Sequence, residues 1–135
     1  MAKMPDVVMQ KFQDLKNPKF MATVDAEGNP NVVPVLSVTA IDNQYLIFAD
    51  IMINKTKKNL LDNGKVAVAV ITDKGEAYQV KGKFLGFQTS GMLFDAVASA
   101  PELKYNAYFG PNGVGVIEVT EVYTATLPLP GERIA

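Results

Sequence analysis

The chain has 135 residues, 48% of them hydrophobic and 20% charged, enough for one core and too few for two comfortable domains. With 13 basic against 14 acidic residues the net charge is −1, which excludes the uniform basic field that nonspecific nucleic-acid binding relies on, so any anion site has to be local. Cysteine, histidine and tryptophan are absent, which excludes disulfides, thiolate nucleophiles, zinc sites built on Cys or His and imidazole acid–base catalysis; redox chemistry would need a bound cofactor to carry the electrons.

From the N-terminus, PDVVMQKFQDLKN places Pro5 where a first helical residue is tolerated and sets Val8, Phe12 and Leu15 at i, i+4, i+7, with Asn17-Pro18 as a stop. This predicts a short amphipathic helix. Three β-rich runs follow, Phe20–Val24, Val32–Ile41 and Gln44–Ala49, divided by Glu27-Gly28-Asn29-Pro30 and Asp42-Asn43, which reads as two consecutive hairpins. A helix of about two turns comes next, with Leu60 and Leu61 as its apolar side and Asn63-Gly64 as its C-terminal cap. The run KVAVAVIT reads as a strand buried on both faces. Asp73-Lys74-Gly75 then turns the chain into AYQVKGKFLGF, a long strand whose Gly82 and Gly86 suit the corner of a small barrel.

Between Ser90, a candidate cap, and Ala100 the pattern is helical, with Met92, Leu93, Ala96, Val97 and Ala100 as an apolar stripe; Glu102–Phe109 predicts a further turn or two. The last strand is VGVIEVTEVYTATL, and PLPGERIA is an extended, Pro-rich tail. Six strands in short hairpins argue for a small antiparallel barrel, mainly β with a few short helices, rather than an alternating parallel sheet; the chain reads as one domain over 1–135 with 128–135 as the tail. No run approaches the roughly 18 to 20 apolar residues of a membrane span, and MAKMPDVVMQKF lacks the apolar centre of a signal peptide. The expectation is a cytoplasmic protein without a membrane or nucleic-acid partner.

The segment 53-INKTKKNLLDNG-64 carries the chemistry. The first turn of a helix exposes unpaired N–H groups and a partial positive charge, so acids are favoured there and lysines disfavoured by roughly 0.3 to 1 kcal/mol each. Here Asn54 stands where a cap is expected, Lys55, Thr56, Lys57 and Lys58 fill the first turn, and the only acid, Asp62, lies near the far end. An external phosphate would complete this inverted order through helix N–H groups, the Thr56 hydroxyl and one or two ammonium groups. The plainer reading is a solvated helix face with Lys58 and Asp62 paired at i, i+4.

Taken together, 30-PNVVPVLSV-38, the hairpin into 45-YLIFAD-50, Lys55-Thr56 with Asn59-Leu60 four residues on, 65-KVAVAV-70 and 80-VKGKF-84 resemble the flavin-binding split-barrel family related to pyridoxamine 5'-phosphate oxidase, and especially its short FMN-binding proteins. The resemblance spans roughly residues 5 to 127 and rests on order and spacing rather than on one motif. It implies a six-stranded antiparallel split β-barrel of Greek-key type with FMN at a homodimer interface. Val33, Pro34 and Val35 would run beside the isoalloxazine, Asp50, Ile51 and Met52 would flank the ring and ribityl chain, and Lys55 and Thr56 would hold the phosphate with Asn54 and Lys57 as weaker candidates. Leu127 or Pro128 would reach the partner's ring. Tyr105, Tyr108 and Phe109 could cover a flavin, though core or interface packing is the better reading for them, and Val33, Val35, Ile51 and Met52 would suit any barrel core. Pro34 within a strand also fits an edge strand or bulge.

The family's oxidases use arginine and histidine near the flavin to grip a second phosphorylated substrate; this chain has Arg133 as its single arginine and no histidine, so that activity is not expected. The resemblance implies a flavoprotein passing electrons or hydride to an unidentified partner or small molecule, without a catalytic side chain to name. The alternatives are a storage protein for FMN or another phosphorylated ligand, a deazaflavin- or haem-binding relative, the latter lacking the usual axial histidine, and an oligonucleotide-binding barrel, which the charge balance disfavours.

Overall fold

The computed structural model describes residues 2–51, 53–99, 111–128 and 130–135. Its elements, in chain order, are α1 (Asp6–Gln13), β1 (Lys19–Val24), β2 (Pro30–Pro34), β3 (Thr39–Ala40), β4 (Tyr45–Ala49), α2 (Asn54–Asn63), β5 (Lys65–Ile71), β6 (Ala77–Gln88), α3 (Met92–Ala98) and β7 (Val114–Thr124). All pairings are antiparallel and the strands lie in the order β2-β1-β5-β6-β7-β4-β3.

The covalent chain dictates the shape of this sheet. β2 and β3 stand at opposite edges of the order, yet only residues 35–38 join them. Six inter-strand spacings of about 4.8 Å would separate the edges of a flat sheet by about 29 Å. Five residue steps from Pro34 to Thr39 reach at most about 18 Å. The sheet therefore curls until its edges approach, giving the split barrel.

Seven strands appear among the described residues where six were expected, because the run Val32–Ile41 is broken. Pro34 has no N–H to continue the ladder, and the next residues turn, with the Val38 N–H donating to the Val35 carbonyl at 3.4 Å. β2 is an edge strand, as Pro34 allows. The expected hairpins β1–β2, β3–β4 and β5–β6 all form.

Inward-facing Met21, Leu46, Phe48, Val68, Val80, Ile117 and Val122 fill the barrel, and α1 adds Val8 and Phe12. The β6–β7 register shifts at Lys81/Gly82 and at Phe84/Gly86, so both glycines mark the bends that their sequence suggested. At Gly82 a Cβ would meet Ile117 Cγ2 at 2.5 Å and the Glu118 carbonyl oxygen at 2.7 Å, so no other residue lets the two strands approach this closely.

Three expectations are corrected. β5 is buried on one face only within the chain: Val66, Val68 and Val70 point inward, while Ala67 and Ala69 face out. Ser90 does not cap α3; Gly91 holds the cap position without a side-chain hydrogen bond, and no α3 residue is buried. The tail does not extend away but doubles back, with the Ile134 N–H donating to the Val122 carbonyl and the Thr124 N–H to the Glu132 carbonyl, at 2.8 and 2.9 Å. The turn predicted at Glu102–Phe109 lies outside the described residues.

Lys19, at the start of β1, is wholly buried, and its ammonium donates to the carbonyl of Asp14, the C-cap residue of α1, at 2.9 Å. It thereby satisfies a carbonyl at the end of the helix. Burial lowers the Lys19 pKa from 10.5 to about 8, against the opposing pull of Asp14. An unfolded chain thus binds more protons than the folded one between about pH 8 and 10.5, and this group's contribution to stability rises across that window, by at most about 1.4 kcal/mol per pH unit. Urea unfolding of Lys19→Met, compared with the parent at pH 7.5 and 10, is expected to lack that rise. Parallel curves for the two proteins would contradict the buried charge.

Candidate functional site

α2 begins where β4 ends, and the short link between them carries three of the expected ligand residues, Asp50, Ile51 and Met52. Ile53, not Asn54, holds the N-cap position; its carbonyl accepts the Lys57 N–H at 2.6 Å, and no side chain caps the helix. Asn54 is the first helical residue and is exposed, which corrects its role as a cap. The first turn contains no acid, and the helix closes at Gly64, whose φ of 73° suits the C-terminal cap expected there.

The three lysines of this turn have different electrostatic surroundings. Lys58 pairs with Asp62 at 2.9 Å on the exposed helix face, and that hydrogen bond raises the Lys58 pKa. Lys57 meets Asp50 at 2.6 Å and lies 5.1 Å over the Phe87 ring. Lys55 is exposed and has no ion-pair partner among the described residues. A cation left uncompensated at a positive helix end is the feature an anion would complete.

Asp50 is buried and locked by its backbone as well as by Lys57. Its N–H donates to the Gly113 carbonyl at 2.8 Å, and its own carbonyl accepts the Asn112 N–H at 3.0 Å. Its carboxylate thus anchors the start of α2 to the β7 entrance rather than standing open to solvent. Ile51 beside it is half-buried, and Met52 lies outside the described residues.

Thr56 points into the protein at 1% exposure. Asn31, on β2, donates through Nδ2 to Thr56 Oγ1 at 3.1 Å and approaches Thr23 Oγ1 at 3.3 Å; Asn59 donates to Thr23 at 3.0 Å. This buried polar cluster clamps α2 onto β1 and β2. Asn31 and Thr23 were not singled out from sequence, although their parity was available: Asn31, Val33 and Val35 alternate along one face, so Asn31 had to point inward with them.

In β2 itself, Val33 is half-buried and pairs with Met21, Pro34 is exposed, and Val35 is buried, its N–H taken by the Lys19 carbonyl at 3.1 Å. Because β2 is the last strand on its side, alternate backbone groups face away from the ladder. The Ala49 N–H donates to Ser37 Oγ at 3.0 Å, which draws the β2–β3 link against the end of β4. Asp50, Ile51 and Asn54 to Lys57 thus lie together, and the Asn31–Thr56 and Ser37–Ala49 hydrogen bonds tie β2 and the link after it to them. Leu127 is set apart from Asp50. It is exposed, beside Thr126, whose hydroxyl accepts the Ala77 N–H at 2.8 Å at the start of β6, whereas Asp50 lies near that strand's far end. β6 runs 12 residues between them, on the order of 30 Å.

The chain is 34% identical over 110 residues to the uncharacterized protein MJ0282 of Methanocaldococcus jannaschii, covering 77% of this chain and 70% of that one. It is 31% identical over 94 residues to the heme oxygenase HutZ of Vibrio cholerae, which covers 70% of this chain but only 49% of HutZ. The crystal structure of an FMN-binding protein from Syntrophomonas wolfei shares the fold, with a TM-score of 0.78 at 20% identity over 90% of this chain and 88% of that one. The pyridoxamine 5'-phosphate oxidase family matches residues 8–125, nearly the whole barrel, and it is to this family that the chain belongs.

Proposed function

We propose that the protein binds FMN at a homodimer interface and serves as a flavoprotein, exchanging electrons or hydride with a partner or small molecule. The observation that carries this reading is Lys55, the exposed lysine at the start of α2 whose neighbours Lys57 and Lys58 already have acids of their own. The phosphate would meet Lys55 and the first-turn N–H groups, while the outward backbone groups of β2 between Val33 and Val35 would border the ring. Thr56, held by Asn31, would contribute by fixing the helix. FMN supplies one- and two-electron chemistry; the protein's share is binding, orientation and exclusion of water.

Support for the dimer comes from the outer face of β1, β2 and β5. Phe20, Ala22 and Val24 stand beside Pro34, Val32 and Pro30 in register, with Ala67 and Ala69 next to them. Phe20 is 41% and Val32 66% exposed, so the apolar surface is continuous and open in the single chain. A partner copy would also be needed to bring Leu127 near a flavin held beside Asp50 and the start of α2.

A haem-binding reading is favoured by the similarity to HutZ. Against it, the chain has neither histidine nor cysteine to supply an axial ligand. Arg133, the single arginine, is engaged with Glu121 at 3.4 Å, away from the α2 turn, which argues against a second phosphate grip. Titrating the purified protein separately with FMN and with haemin, followed by absorbance and by mass in solution, tests these readings. Saturable uptake of one FMN per chain by a dimer is expected. Uptake of haemin alone would overturn the flavin reading, and a flavin that no nicotinamide donor reduces would turn it toward storage.

A further inference from the structure

A second feature lies beside the flavin region and involves none of the phosphate residues. α3 presents Leu93, Ala96 and Val97 toward the outer side of β3 and β4, yet no residue of α3 is buried. Between helix and sheet remains a half-open cleft of about 250 Å³, whose sheet side includes Ser37, Thr39 and Ile47. Among the described residues no charged side chain lines it. A helix that simply finished the core would collapse onto this wall, since each Å² of apolar surface withdrawn from water is worth about 25 cal/mol. The space is instead kept open between two apolar walls.

We infer that this cavity binds an uncharged ring compound. Its volume exceeds the roughly 150 Å³ of an apolar cavity that admits benzene, and it falls short of the roughly 300 Å³ at which pockets for larger organic ligands begin. One or two fused rings match that space. The lining selects against a charge placed on its inner side, where it offers no partner for one. It is almost wholly apolar, with Ser37 and Thr39 as its hydroxyl-bearing residues. Ser37 Oγ already accepts the Ala49 N–H at 3.0 Å, which leaves its O–H as a donor and one lone pair as an acceptor. Ser37 and Ala49 are two residues and one residue away from Val35 and Asp50. If the flavin lies as proposed above, a premise on which this step alone rests, the compound would stand next to the ring as the small molecule the flavin serves.

Indole, uncharged and with two fused rings, is a suitable probe. Calorimetric titration of the full chain, with and without added FMN, is expected to give saturable binding of one indole per chain, with indole-3-carboxylate binding at least tenfold more weakly. Ala96→Phe, which fills the cavity from the helix side, is expected to weaken indole binding at least tenfold while FMN uptake, read by absorbance, stays unchanged. Absence of saturable indole binding, equal affinity for the carboxylate, or undiminished binding by a folded Ala96→Phe protein would each overturn the inference. A chain that takes up indole but not FMN would keep the cavity's role and remove the flavin reading; uptake of FMN without indole would do the reverse.

Discussion

Replacing Lys55 and Thr56 together by alanine is expected to weaken FMN binding by about 2 to 4 kcal/mol, roughly 30- to 1,000-fold in Kd, since hydrogen bonds to charged groups contribute about 1.5 to 3 kcal/mol each. The two residues contribute differently. Lys55 is exposed and unpaired among the described residues, so Lys55→Ala alone removes charge from the site with little effect on folding. Thr56 is buried and accepts a hydrogen bond from Asn31, so its loss leaves a buried amide short of an acceptor and loosens the clamp between α2 and β2. Thermal unfolding therefore has to accompany the FMN titration. Lys58→Ala, which removes only an exposed pair with Asp62, is the control and is expected to bind FMN within about twofold of the parent. An unchanged Kd in the double variant would refute the phosphate assignment.

Phe48→Ala is expected to cost about 3 to 5 kcal/mol of folding stability, a large part of what a domain of this size possesses. Phe48 is 1% exposed, and its ring lies 6.3 Å from Phe84 and 6.0 Å from Phe87, centroid to centroid. On the facing strand Gly115 leaves room for it; a Cβ there would run into the ring. The sequence neighbours of Phe48 are Ile47 and Ala49, and Asp50 comes next, so the cavity left by the ring would open under the very end of β4 that positions the site. Urea denaturation measures the loss as a fall in midpoint. A change below 1 kcal/mol would mean that the three rings repack around the gap and that β4 is held mainly by its ladder with β7.

Where the chain's own local chemistry decides the structure, the sequence was readable. Asn63-Gly64 ended α2 because only a left-handed residue finishes that turn, and Gly82 and Gly86 announced the two bends of β6. The hairpins followed from turn residues between β-rich runs, and the family pattern from their order. What could not be read depends on partners far along the chain. Lys19 looks like an ordinary surface lysine until α1 and β1 close over it. Thr56 looked like a free hydroxyl because Asn31, 25 residues earlier, is brought to it only by the curl of the sheet. The resemblance alone places Lys55 ahead of Lys57; the pairing of Lys57 with Asp50, seven residues earlier, is what separates them electrostatically. The alanine face of β5 was taken for buried because hydrophobicity reports that a surface avoids water, not whether its own chain or another covers it.

The returning tail has a consequence for association. β4 pairs with β7 only from Val114 to Glu118, and residues 131–135 occupy the same side of β7 further along, at Val122 and Thr124. A chain cut after Thr126 would keep every strand of the barrel but leave that stretch of β7 with bare N–H and C=O groups, an open template for a strand from another molecule. Residues 131–135 thus cover backbone groups of β7 that a strand from another molecule could otherwise pair with.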